Sequence, residues 1–286
     1  MPQDFNNNTY KALVEDLIND AFYLDGMSRR GIVAKIRQYA EVVVRRILNV
    51  DSKESFTLGS DETKTKINNK NSALLKESVS AINRIGNKCT HTQYVKTISE
   101  KDVKNAIDNL FNLYAFLLIE YFEKYKFGTN AEIVHHFSIL PPIIRYLTLT
   151  ELHIKDPENI FIIDKLSLAI LKAFDKEKAL NWLEERKDKL RKISSVNINQ
   201  PDNISSMNEE LVENISVSCP DMYELCVGKI NMISAEIERN GKLYDDFESA
   251  IEYYQNSGIV HGDTPEIKEF NSIMEFLYLG RKSNRN

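Results

Sequence analysis

The chain has 286 residues, 42% of them hydrophobic and 28% charged, proportions that suit one large or two ordinary globular domains and exclude a wholly disordered chain. The net charge of −5 argues against a surface coated in nucleic-acid-binding charge. Its distribution is uneven, with +3 over residues 1–127, +1 over 128–200 and −9 over 201–286.

The first residues, MPQDFNNNTY, have neither the basic nor the apolar region of a signal peptide. An amphipathic segment runs from Leu13 to Leu24. Next come Ile32, Val33, Ile36, Ala40, Val43, Val44 and Ile47, whose 3–4 spacing makes one stripe on a helix of about five turns. The polar, lysine-rich stretch 51–71 is expected to be a mobile loop. A third segment, Ser72 to Ile85, carries Leu74, Leu75, Val79 and Ile82. The fourth opens at Ser99-Glu100-Lys101-Asp102, a capping-box-like start, and continues from Val103 to Tyr125. Its apolar run Leu113–Ile119 is far shorter than the roughly 18–20 residues a membrane span needs.

Gly128-Thr129-Asn130 is the expected boundary, giving an N-terminal bundle over 1–127 and a second helical region over 128–286. In the latter, Pro141-Pro142 interrupts the chain and Asp156-Pro157-Glu158 is the expected opening of a helix. Residues 194–206 read as a linker. Further helices are expected to open at Ser218, with Asp221 three residues on, and at Thr264-Pro265-Glu266. With few glycines and prolines and no alternating strand pattern, the fold class is all-α. Three cysteines, Cys89, Cys219 and Cys226, form no CxxC pair, so neither a disulfide framework nor a zinc knuckle is expected. The expectation is a reduced cytoplasmic protein with no cofactor and no membrane partner.

Phosphate-loop, dinucleotide, zincin and hydrolase signatures are absent. Successive histidines such as His135-His136 diverge by about 100° on a helix, which is poor geometry for a shared metal. One segment stands apart, Ala81 to His91, AINRIGNKCTH. Seven positions separate Arg84 from His91; on an unbroken helix they return to nearly the same direction but lie about 10 Å apart along the axis. One phosphate could hardly touch both in that geometry. Either the chain turns at Gly86-Asn87, residues that tolerate left-handed geometry, or two protomers share a site.

The segment RIGNKCTH, with LLKESVSAI before it and SEKDVKNAIDNLFNLYAFLLIEYFEKY after it, resembles the HEPN family, in particular its prokaryotic branch with an Arg-x-x-Gly-Asn-x-Ala-x-His motif. SRRGIVAKIRQYAEVVVRRIL resembles that branch's second helix, so the likeness covers roughly residues 8–127. It implies a small helical bundle, usually dimeric, and in many members a metal-independent endoribonuclease of antiviral or toxin–antitoxin systems. It places Arg84 and His91 at a dimer interface as the catalytic pair, with Gly86 and Asn87 as the motif interior. Cys89 stands where alanine is usual, and Ile85 where the best-known active members carry a polar residue.

RNA supplies its own nucleophile, the 2′-hydroxyl, so cleavage needs a base, an acid and positive charge. A histidine can serve as base or acid near neutral pH, and an arginine grips phosphate through two donors. A two-fold dimer would supply two of each. Residues 62–104 hold 9 basic and 4 acidic residues, and Lys88 with Asn87 is expected to support RNA binding while Tyr94 stacks on a base. Arg30, Arg37 and Arg45 share a helix face and suggest either an RNA-facing strip or, with Glu41 among them, a salt-bridged surface. The expected partners are RNA, a second copy of the chain, and an antitoxin or defence-complex protein. The competing expectation is a non-catalytic dimerisation and partner-binding module; a third is a toxin restrained by its own acidic tail.

Overall fold

The computed structural model describes residues 5–195 and 220–284. The fold is all-α, with thirteen helices and no strand among the described residues; one isolated antiparallel bridge joins Ser194 to Asp221. They are α1 (Asn7–Ile18), continued by a π-helical turn over Asn19–Tyr23, α2 (Arg29–Leu48), α3 (Asp61–Asn68), α4 (Ala73–Thr90) and α5 (Glu100–Lys124). There follow α6 (Ala131–Phe137), α7 (Pro142–Lys155), α8 (Ile160–Ala173), α9 (Lys176–Glu184), α10 (Lys187–Leu190), α11 (Met222–Asn240), α12 (Phe247–Ser257) and α13 (Pro265–Tyr278). None is long and apolar enough to cross a membrane.

Local chemistry sets most of these boundaries. Ser28, Ser60 and Ser72 accept hydrogen bonds from the third amide of α2, α3 and α4, and Asn130, Asn159, Asp175, Asp221 and Asp246 do the same for later helices. At α5 the Ser99 hydroxyl accepts from Asp102 N while the Asp102 carboxylate accepts from Ser99 N, closing the expected box. Three expectations change. The 51–71 stretch contains α3, which its serine cap and the buried Thr63 and Ile67 stabilise. Asp156 closes α7, and Asn159 caps α8. Asp221 caps α11; Ser218, and all of the expected 194–206 linker except Ser194 and Ser195, lie outside the described residues.

The chain divides into two compact units, residues 1–118 with 272–281, and residues 119–271 with 282–286. The expected division at residue 127/128 assigned 272–281 to the second region, whereas the first unit's core contains it. Met274, Phe276 and Leu277 are buried along with Val33, Ile36, Val43 and Ile47 of α2, Leu75 and Ile82 of α4, and Leu110 and Tyr114 of α5. Arg46 ties the segment down: its guanidinium lies 4.9 Å from the Phe276 ring, donates to Ser272 Oγ at 3.0 Å and bonds Asn7. Asn7 donates to Glu275 at 2.8 Å, and buried Arg281 donates to Tyr114 Oη at 3.0 Å. Gly280, at φ +74°, lets the chain pass so close to α1 that an added Cβ would sit 3.0 Å from the Glu15 backbone. In the second unit, α8 packs against α7, α9 and α11, and its Asp164 pairs with Lys229 of α11 at 2.7 Å, both side chains buried.

Candidate functional site

The helix that carries Arg84 does not break. α4 runs through Gly86-Asn87 to Thr90, and His91 closes it as the C-cap, its backbone N–H donating to Asn87 O at 3.1 Å. Gly86 is outside the left-handed region, so the turn that would bring His91 back to Arg84 is excluded. The glycine has another reason. A Cβ there would sit 2.1 Å from Arg37 Cδ, 2.7 Å from Cγ and 2.8 Å from Cβ, so its absence lets α2 and α4 approach each other. Arg37 lies in that contact and pairs with Glu41 at 3.3 Å.

Arg84 and His91 are both exposed, and their side chains make no hydrogen bond or ion pair with any described residue. The helix from Arg84 to Thr90, with His91 as its C-cap, sets the two residues about 10 Å apart along the axis. Ile85 points the other way and is buried, 4% exposed, as is Gly86. The isoleucine in place of a polar residue is thus a core position of the bundle. Asn87 and Lys88 are half-buried between the pair.

The segment after His91 is held by Arg30 of α2. Its guanidinium donates to the carbonyls of Tyr94 at 3.1 Å and Lys96 at 2.9 Å, and also to that of Lys88. Half-buried Tyr94 has the Lys88 ammonium 5.2 Å and the Arg30 guanidinium 5.9 Å from its ring centroid, so its ring already engages two cations. The arginines of α2 are therefore committed. Arg30 fixes the segment that follows His91, Arg37 packs on Gly86, and Arg45 donates to the carbonyls of Asp51 and Glu54 at 2.8 and 2.9 Å. They form no open RNA-facing strip. Arg30 and Arg37 as supports of the α4 terminus went unread in the sequence, because nothing in a periodicity pattern says which surface arginine finds a carbonyl.

Several of the surrounding lysines are also paired, Lys64 with Asp61 at 2.9 Å, Lys66 with Glu62 at 2.8 Å and Lys104 with Asp108 at 2.9 Å. Burial pushes the Cys89 thiol up from its ordinary value, against the attraction of Arg30, which leaves it a poor nucleophile. His136 is buried with Nδ1 3.0 Å from Glu132 O, and His135 is half-buried. His153 packs on Trp182 at 5.4 Å. No group of three histidine, cysteine or acidic side chains among the described residues is placed to hold a metal. No family model, curated protein or solved structure matches the chain.

Proposed function

We propose that the chain is a metal-independent endoribonuclease of the HEPN type, acting as a homodimer in a bacterial antiphage-defence or toxin–antitoxin setting. The observation that supports it is the exposed Arg84–His91 pair, the arginine on α4 and the histidine at its C-cap, with no other use for either side chain among the described residues. Their offset of about 10 Å along the axis favours a site completed by a second copy. A two-fold contact here would place the arginine of one copy near the histidine of the other.

In that arrangement one histidine takes the 2′-hydroxyl proton as the 2′-oxygen bonds to phosphorus. The P–O5′ bond breaks, the second histidine protonates the leaving oxygen, and a 2′,3′-cyclic phosphate remains. Arg84 neutralises the charge that develops on the phosphoryl oxygens. Incubating wild type, Arg84→Ala and His91→Ala with mixed RNA in chelator, while measuring oligomeric state, tests this. The expected loss for His91→Ala is at least 100-fold, the scale of acid–base catalysis. Equal activity would remove His91 from the mechanism.

Burial of Ile85 favours a second reading, since no polar group from that position reaches the surface. A dimeric but inactive wild type would identify the bundle as a non-catalytic dimerisation and partner-binding module. Restraint by the acidic tail cannot be tested by truncation after residue 200, because that cut removes Phe276 and Leu277 from the first unit's core.

A further inference from the structure

From His91 to Thr97 every residue except half-buried Tyr94 is exposed, and Val95, the one aliphatic side chain among them, is 88% exposed. Burial of apolar side chains therefore contributes little to where this segment sits. Its own backbone supplies one turn, with Tyr94 N–H donating to His91 O at 3.3 Å. The next fixed points are buried Ile98 and the Ser99–Asp102 box that opens α5.

Half-buried Arg30 of α2 spans the interval. Its guanidinium donates to Lys88 O, three residues before His91, and to Tyr94 O and Lys96 O, three and five residues after it. One side chain thus clasps the chain on both sides of the histidine. Lys88 O belongs to the last turn of α4, where carbonyls lack an intrahelical partner, so the same group also closes the helix end. The backbone of His91 is held at both polar groups, its N–H donating to Asn87 O at 3.1 Å and its carbonyl accepting from Tyr94 N. Its imidazole stays exposed.

Counting donors separates this role from contact with RNA. Nη2 carries two hydrogens, and Tyr94 O and Lys96 O engage both; one of the two on Nη1 goes to Lys88 O. Nη2 is shared by both two-donor edges of a guanidinium, so neither edge is free to grip a phosphate. We infer that Arg30 is a positioning residue of the Arg84–His91 site, an assignment that rests on the nuclease reading. It sets where the Cα–Cβ bond of His91 points and does not touch RNA. A lysine is a poor replacement, because its donors radiate from one nitrogen instead of a rigid planar fork. Misplacing a catalytic group by about 1 Å costs about 100-fold in rate, which sets the scale of the effect.

The test compares full-length wild type, Arg30→Lys, Arg30→Ala and Arg29→Ala in chelator on a fluorescent single-stranded RNA of mixed sequence, with amide hydrogen exchange followed on the same preparations. Arg30→Lys is expected to lower kcat about tenfold or more and to leave KM within about threefold. It should also speed exchange at the amides of His91 and Tyr94, while those of Val43 and Val44 in α2 stay protected. Arg29→Ala removes a neighbouring charge whose partner is Glu100 and is expected to match wild type throughout. A raised KM with unchanged kcat would make Arg30 an RNA contact. Unchanged exchange in Arg30→Lys would deny the clasp, and an equal loss in Arg29→Ala would assign the effect to charge alone. Each of these results overturns the positioning role. A wild type that cuts no RNA removes the nuclease reading and the positioning role together, whereas a fully active Arg30→Lys removes the positioning role alone. Should Arg30→Ala unfold, seen as lost protection at Val43 and Val44, Arg30→Lys decides.

Discussion

Gly86→Ala separates two reasons for a glycine in the RIGNKCTH segment. If the residue served a turn, alanine would strain the backbone, whatever stood at position 37. In a continuous helix the backbone favours alanine by about 1 kcal/mol, and the cost is purely steric. The new Cβ would meet Arg37 Cδ at 2.1 Å and its Cβ at 2.8 Å, well inside ordinary contact. Arg37 must leave its position, giving up the half-buried pair with Glu41, or α2 and α4 must separate. Overpacking of this kind costs about 1–3 kcal/mol, so the net expectation is a loss of about 1–2 kcal/mol once the helix preference is credited. Arg37→Ala alone should cost about 1 kcal/mol through lost packing. In the double variant the Cδ and Cγ clashes disappear, leaving only the tight Cβ contact. The two substitutions should therefore fall short of additivity by about 1 kcal/mol or more. Urea unfolding of the four proteins measures this. A neutral or stabilising Gly86→Ala, or strict additivity, would refute close helix approach as the reason for the glycine.

Phe276→Ala should destabilise the first unit by about 3–5 kcal/mol, because the ring is fully buried against Tyr39 and Arg46; a loss under 1 kcal/mol in urea titration would contradict its place in that core. Asp164→Asn should cost about 3–5 kcal/mol by leaving Lys229 buried without its counter-charge, whereas Asp164→Leu with Lys229→Met should recover most of the loss. In the wild type, burial and two cations lower Lys172 from 10.5 to about 7. Between those values the unfolded chain binds more protons than the folded one, so this group makes stability rise with pH across that window. Urea unfolding at pH 7 and pH 9 should show a smaller rise for Lys172→Met than for wild type; superimposed profiles would deny the burial. Arg84→Ala and His91→Ala should change stability by less than about 0.5 kcal/mol, as expected for exposed side chains without partners, so any loss of RNA cleavage would not reflect unfolding.

Helix identity was legible because its determinants are local. The stripe from Ile32 to Ile47 and the Ser99–Asp102 cap predicted α2 and α5 closely. The one miss inside the bundle, α3, came from reading lysine-rich polarity as loop when a serine cap and two buried residues suffice for two turns. The Arg84–His91 pair was visible as residue types at a spacing, and the sequence left two geometries open for it. Only the packing of α2 on α4 chose between them, because whether Gly86 turns or stays helical depends on Arg37, about fifty positions away.

Two further features escaped the sequence for the same reason. The return of residues 272–281 to the N-terminal core rests on Arg46, Asn7 and Tyr114, partners more than 150 residues distant. The buried pair of Asp164 and Lys229 looks, along the chain, like two ordinary surface charges on amphipathic helices. Hydrophobic period and capping chemistry act over a few residues and are written in the sequence itself. Which buried groups then face each other is settled only when the helices pack, since burial changes the environment of a charge without changing its letter.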